Sequence, residues 1–435
     1  MGWLGERLRG LRKRPVREVA PVELAPPEVE EGPAAKPDQG LGPEGRPFDA
    51  VLLAVVIALV GFGLVMVYSS SAVMTELRFD DGQLFLRRQL GHVAVGLVCM
   101  LLGLRLDYRW YKRLAYPILG VAGSMLVAVL VIGSTRNEAT RWISLFGVSF
   151  QPSEVIKIAL IVYTAYSIEK KAIKIKQFSI GVLPHLMVLG VVAVLLLKQP
   201  DFGTTVMCAV LMFTMLFVAG ARTGYIAMIG LVGAGAAVLL VLSSPYRMNR
   251  VQAFLDPRSD PYGIGYQVNQ SLTAIGSGGF TGKGLGMGTS KLGYVPELWN
   301  DFIGTAIGEE FGWIGLAVVF GLFGVLVWRG IKIAYGARDM FGMYLAFGLT
   351  LLFGLQATVN LSVVTGVLPN TGLTLPFISY GGTSMLICLF IIGVMLNISR
   401  AREDAWEAAR ESRERNQMES RLDKKRRRAL SRREV

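Results

Sequence analysis

Apolar residues in this chain come in long runs. Ten stretches of about 20 residues, at 48–71, 88–105, 114–133, 150–168, 178–197, 203–220, 224–243, 302–328, 341–366 and 376–398, are nearly unbroken Leu, Val, Ile, Phe, Met, Ala and Gly. Each can cross a hydrocarbon core of about 30 Å as a helix. A spanning segment must pair its own backbone, and lengths near 20 argue helices, not barrel strands. The pattern predicts an all-α polytopic membrane protein with about ten transmembrane helices. Nearly every hydrophobic residue lies in one of these segments, so no separate soluble domain is expected. Three regions follow: a cytoplasmic disordered tail at 1–47, a membrane domain at 48–399, and a basic cytoplasmic tail at 400–435.

The polar positions between the runs give the orientation. With the N-terminus inside, the inner loops hold Arg105, Arg109, Lys112, Arg113, Lys170, Lys171, Lys174, Lys176, Arg222, Arg329, Lys332 and Arg338. The short outer loops hold only Arg78, Arg136, Arg141 and Lys198. Lys and Arg favour the cytoplasmic side, which predicts both tails inside. Arg87 and Arg88, at the outer start of the second span, run against the trend. Residues 243–300 then form one long outer loop.

Composition agrees. The chain is 52% hydrophobic and 18% charged, with a formal charge of +13. That charge fits anchoring on anionic lipid. No aromatic interleaving supports nucleic-acid binding. Residues 18–49 are Pro-rich and acidic, which predicts disorder. Cys99, Cys208 and Cys388 lie inside apolar spans with no metal or disulfide spacing. The two histidines, His92 and His185, share no ligand spacing either.

Charge at membrane depth is where chemistry is expected. Asp301 sits at the outer boundary, between the long loop and the eighth span. Glu154 and Lys157 are three apart on one helical face of the fourth span. They read either as an ion pair that locks packing or as a substrate-contacting cation held by its carboxylate. In the second reading they face the same outward pocket as Asp301. Asp201 lies in a very tight outer turn, where it could also cap the sixth span. Glu309 and Glu310 lie about 12 Å deeper than Asp301, and at least one of them is expected to serve packing. The long loop carries Arg247 and Arg250. It then carries seven glycines in thirteen residues, 276–288, around Lys283. Such backbone can approach a ligand closely, and the cations suit a phosphate or pyrophosphate. A last outer loop contains Ser379 and Tyr380 among prolines and glycines, which predicts an irregular start to the tenth span. The residues name no certain cofactor. Carboxylates could hold a hard divalent cation, magnesium or manganese.

Taken together, these motifs resemble the SEDS family (shape, elongation, division and sporulation) of bacterial cell-wall synthesis. The carriers are Gln151-Pro-Ser-Glu154 with Lys157, Gln199-Pro-Asp201 with Gly203, Pro296-Glu297 followed by Asn300-Asp301-Phe302, Gly308-Glu-Glu-Phe-Gly312, and Pro376-Phe-Ile-Ser-Tyr-Gly-Gly382. The resemblance covers about residues 48–399. Gly372-Leu-Thr-Leu-Pro376 looks more like the division branch than the elongation branch. One departure is Trp299, where the family usually has His two residues before the aspartate.

The resemblance implies a peptidoglycan glycosyltransferase that polymerises lipid II at the outer face of the bacterial inner membrane, at the division septum. It implies a class B penicillin-binding protein and other divisome proteins as partners, and Asp301 as the essential aspartate and general base. Glu154, Lys157, Asp201, Arg247, Arg250, Lys283, Ser379 and Tyr380 are the substrate-binding candidates. Lys157, Arg247 and Arg250 would offset the charge of a lipid pyrophosphate leaving group. A lipid II flippase and a non-catalytic scaffold for the transpeptidase are the alternatives.

Overall fold

The structure, a computed structural model, describes residues 48–136, 139–145, 148–256, 260, 263 and 265–400. The tails expected at 1–47 and 401–435 lie outside the described residues.

Each of the ten apolar runs is a helix. They are α1 (Ala50–Phe79), α2 (Leu84–Arg105), α4 (Ala115–Ile132), α5 (Pro152–Lys170), α6 (Leu183–Lys198), α7 (Phe202–Val218), α8 (Thr223–Leu242), α11 (Ile303–Tyr335), α12 (Met340–Val364) and α13 (Gly382–Arg400). A short α3 (Arg109–Arg113) joins α2 to α4, and a π-helical turn, Phe178–Val182, leads into α6. Among the described residues, eight helical spans are long and apolar enough to cross a membrane by length and composition. The other two are α7, which is shorter, and α5, which carries Glu154, Lys157, Glu169 and Lys170.

α5 tolerates that charge because it is central, packed against α4, α7 and α12. α8 is the opposite case. It is apolar throughout, yet none of its residues is buried. An exposed helix of that kind is stable only in a hydrocarbon solvent.

Three features escaped the apolar pattern. Between α4 and α5 lies a small antiparallel sheet, β1 (Ser134–Arg136), β2 (Ala139–Leu145) and β3 (Val148–Phe150), in the order 1-2-3. The long segment after α8 is not simply a loop, since it contains α9 (Pro245–Leu255) and α10 (Tyr266–Gly278). Third, α11 breaks at Gly312, where φ is 66° and ψ is −163°.

The break at Gly312 explains the glycine-rich segment. It frees backbone groups that hydrocarbon cannot satisfy. The Trp313 and Ile314 amides donate to the Gly279 and Phe280 carbonyls at 3.0 and 3.1 Å. In return, the Lys283 and Gly284 amides donate to the Glu309 and Glu310 carbonyls, both at 3.0 Å. A β-carbon at Gly278, Gly282 or Gly312 would collide with the facing carbonyls. The glycines therefore bring backbone against backbone, where the sequence suggested backbone against ligand.

The end opposite the sheet is also latched. Asp49 caps α1 through the Leu52 amide at 2.9 Å, and its carboxylate takes three hydrogen bonds from Arg329 of α11, at 2.9 and 2.5 Å on one oxygen and 3.1 Å on the other. The Tyr108 hydroxyl donates to Asp339 at 2.6 Å, tying the α2–α3 turn to the start of α12. Arg87, the misfit of the charge rule, pairs with Asp81 and so adds little net charge to its end.

Two outcomes are expected. In a cysteine-free background, Leu255→Cys and Ile173→Cys, both highly exposed, should label with an impermeant thiol reagent from opposite sides, with 255 outside. Labelling from one side would refute the orientation. Gly312→Ala forces a side chain into positive φ and into the Phe280 carbonyl, so it should destabilise by about 1–3 kcal/mol. Gly321→Ala, in the same helix with open space around it, should be close to neutral. Equal thermal midpoints for the two variants in detergent would show that the break is not needed.

Candidate active site

Asp301 occupies the turn just before α11, at the end of the bundle that carries the sheet. Its backbone is held from α12, where Asn360 Nδ2 donates to the Asp301 carbonyl at 2.8 Å and to the Leu373 carbonyl at 2.7 Å. The two preceding residues are fixed by the last irregular segment. Ser379 Oγ donates to the Asn300 carbonyl at 2.6 Å and accepts the Leu375 amide at 2.9 Å. The Tyr380 amide donates to the Trp299 carbonyl at 2.9 Å. Its ring stacks on Phe85 at 4.6 Å, and Phe85 meets Trp299 edge-on at 5.4 Å. Ser379 and Tyr380, expected as substrate contacts, are thus placed as supports for the aspartate turn.

Arg141, on β2, reaches across to the tight turn before α7. Its Nε donates to the Gln199 carbonyl at 3.3 Å, Nη2 bonds the Pro200 carbonyl, and Nη1 lies 3.9 Å from Asp201 Oδ1. Asp201 also caps α7 through the Thr204 amide at 3.2 Å. Gly372, with φ of 70°, passes beside both acid and base. A β-carbon there would lie 3.9 Å from Arg141 Nη1 and 4.0 Å from Asp301 Oδ2. Close by, Arg250 donates to the Asn370 carbonyl at 3.0 Å.

The electrostatics follow from this packing. Part of the Asp301 surface is accessible, but the surrounding protein displaces most of its water. That desolvation pushes the carboxyl up to about 6; nearby Glu297 adds to the shift, while Arg250 and Arg141 oppose it. Several buried acceptors around the same place have no protein partner among the described residues: Gln199 Oε1, Asp201 Oδ2, Asn360 Oδ1 and Thr371 Oγ1. Buried polar atoms are ordinarily paired, so these are groups a polar ligand or water can use.

Other expected residues have partners within the protein. Glu154 and Lys157 are 7% and 0% exposed and closed on each other at 2.7 Å, because α5 is ringed by neighbouring helices. Lys283 is bonded to Glu309 at 2.7 Å. Arg247 donates to the Leu240 carbonyl at 2.9 Å and stacks over Phe202, which braces the α8–α9 corner. Both deeper glutamates are structural. Glu309 accepts from Lys283, from the Thr289 amide and hydroxyl, and from the Ser290 amide. Glu310 accepts from Ser69 at 2.7 and 2.8 Å. Among the described residues, no three His, Cys, Asp or Glu side chains converge as a metal site.

Sequence reasoning missed Arg141 and Asn360 as site residues. Arg141 had a signal, since it is one of the few cations retained in a short outer loop. Asn360 had none beyond being an amide inside a span.

Comparison with known proteins agrees with this architecture. The chain is 50% identical over 354 residues to the probable peptidoglycan glycosyltransferase FtsW of Trichlorobacter lovleyi, covering 81% of this chain and 93% of that protein. It is 40% identical over 354 residues to stage V sporulation protein E of Bacillus subtilis, covering 81% and 97%. Among solved structures, it is similar to a chain from a peptidoglycan synthase complex that coordinates polymerization and crosslinking, with a TM-score of 0.66, 30% identity, and coverage of 82% and 98%. It is also similar to the rod shape determining protein RodA of Thermus thermophilus, with a TM-score of 0.62, 29% identity, and coverage of 82% and 97%. The sequence profile described as "Cell cycle protein", built on FtsW, RodA and SpoVE, matches residues 49–404. The chain is therefore a member of the FtsW/RodA/SpoVE family of polytopic membrane proteins.

Proposed function

We propose that this chain is a peptidoglycan glycosyltransferase that polymerises lipid II at the outer face of the bacterial cytoplasmic membrane during division, with Asp301 as its general base. The observation that carries the reading is the Asp301 carboxylate. It is desolvated, flanked by Arg141 and Arg250, and held at a membrane boundary by backbone contacts from two other segments, α12 and the stretch before α13. The names of its relatives support the chemistry, and the solved synthase complex supports a class B penicillin-binding protein as partner; action at the septum with other divisome proteins belongs to the proposal.

The reaction needs two things from the protein. The acceptor sugar hydroxyl must lose its proton as its oxygen attacks the anomeric carbon of the donor. A carboxylate positioned within hydrogen-bond reach takes that proton, typically worth roughly 10²–10⁴-fold. The bond to the lipid pyrophosphate breaks, and its negative charge must be stabilised. Arg141 and Arg250 supply positive charge beside Asp301. A magnesium or manganese ion bound to the pyrophosphate would need only one or two carboxylates, for which Asp301 and Glu297 are the local candidates, and would add charge neutralisation. Exposed apolar surface on α8 lets the lipid tails stay in the bilayer while the sugars react. The closed Glu154–Lys157 pair supports an enzyme over a flippase, which needs polar groups along a path through the bundle.

Asp301→Asn tests the assignment. Asparagine keeps size and hydrogen bonding but cannot take the proton. It also removes a carboxylate that is ionised against desolvation above pH about 6, so the fold should not weaken at neutral pH. The purified variant, with its partner, should insert normally and polymerise lipid II at least about 10²-fold more slowly. Near wild-type polymerisation would end the general-base assignment.

The pH profile gives a second test. The base works only when deprotonated. With the carboxyl at about 6, the single-turnover rate should fall as pH drops through 6 and level off above 7. A rate that is flat from pH 5 to 8 would place the proton acceptor elsewhere.

A further inference from the structure

At the end of the bundle opposite Asp301 lies a cavity of about 610 Å³, lined by Arg109, Lys112, Arg113, Tyr116, Tyr166, Glu169 and Asp339. It sits where α3, the start of α4, the last turn of α5 and the start of α12 meet. The Lys/Arg bias assigns this end to the cytoplasm. The proposed glycosyl transfer makes no use of it.

Its charges are unevenly spent. Glu169 is neutralised by Lys112 at 2.8 Å. Asp339 is occupied by the Tyr108 hydroxyl at 2.6 Å and caps α12 at the Gly342 amide. Among the described residues Arg113 closes no ion pair, and it lies over the Trp110 ring at 5.5 Å. Arg109 stacks over the Tyr108 ring at 5.9 Å, and both arginines are exposed. Two guanidinium groups are thus held at the mouth of a cavity whose two carboxylates already have partners. Arginine stacked on an aromatic ring is pre-organised, and its planar fork matches a phosphate.

The surroundings indicate how such a phosphate would be carried. Trp110 at the cavity mouth is 55% exposed, and Tyr116 and Val127, eleven residues apart on one face of α4, are 56% and 47% exposed, so an apolar strip leads from the cavity up α4. Trp and Tyr favour the level of lipid headgroups, and the rest of the strip faces hydrocarbon. Basic pockets between spanning helices at the cytoplasmic side suit anionic headgroups.

We propose that this cavity binds the phosphodiester headgroup of an anionic phospholipid from the inner leaflet, with Arg109 and Arg113 on the phosphate and an acyl chain along the α4 strip. The shared chemistry is a phosphate anion, and the source is the lipid.

The test uses the full chain purified in neutral detergent and titrated with phosphatidylglycerol, phosphatidylcholine or inorganic phosphate, read by native mass spectrometry and by thermal midpoint. Wild type should retain phosphatidylglycerol and be stabilised by it, and not by the other two. Arg109→Gln/Arg113→Gln should weaken phosphatidylglycerol retention about tenfold or more. Lys174→Gln/Lys176→Gln, which removes the same charge from exposed positions outside the cavity, should leave retention unchanged. Arg113→Gln alone breaks no ion pair in the fold, so it should move retention the same way even if the double variant fails to fold. Equal losses in the arginine and lysine variants would reduce the site to the general charge of that face and overturn it. Equal retention of the two lipids, or equal protection by inorganic phosphate, would overturn it as well.

Discussion

Hydrocarbon offers no hydrogen bonds, and that constraint organises this bundle. Wherever the backbone leaves the helix at membrane depth, another piece of protein meets it. Gly312 breaks α11, and residues 279–284 supply and receive the missing bonds. Residues 366–381 run irregularly into α13, and Asn360, Ser379 and the carbonyls of 299 and 300 take up their polar groups. The glycines of 276–288 follow from the same requirement, because only a bare backbone lets two main chains approach this closely.

The same accounting separates the carboxylates. Glu309 has four donors, Glu310 has Ser69 and Lys291, Glu154 has Lys157, and Asp49 has Arg329. Each has partners that commit it to the fold. Asp201 is committed in part, to the cap of α7. Asp301 differs. Its backbone carbonyl is anchored, but among the described residues its carboxylate closes no ion pair. A base whose lone pairs are already used cannot take a proton, so availability, more than charge, marks the reactive group.

This distinction shows why the sequence revealed the spans clearly and the site only partly. A run of twenty apolar residues has few alternatives, so all ten helices could be read to within several residues. Beyond the runs, Ala72–Phe79 of α1 and Arg329–Tyr335 of α11 continue as helix with mixed polarity, past the hydrocarbon that defined the pattern. α9, α10 and the three short strands have too few residues for periodicity to stand out. The charges at depth were visible, but not all of their surroundings. The i, i+3 spacing offered Lys157 as the partner of Glu154 in one of two readings, and the fold closes that pair. Nothing in the sequence placed Gly372 and Arg141 beside Asp301.

Asp301 lies in a turn, and reactive groups on turns are ordinarily less well fixed than those on helices. Here the turn is held from several sides. Asn360 fixes the carbonyl of 301, Ser379 that of 300, and the Tyr380 amide that of 299, while Phe85 wedges between Trp299 and Tyr380. Arg141 fastens the facing turn at 199–201 from β2. The irregular segment before α13 thus braces the aspartate turn, and the strained φ of 65° at Phe377 lies within that brace. Trp299 stands where the family usually has histidine, and here it helps form the brace, with its ring against Phe85 and its carbonyl bonded to Tyr380. A histidine ring there would keep the backbone bond but give Phe85 a smaller, more polar edge to pack against. In this chain, position 299 therefore contributes to placing Asp301 through packing.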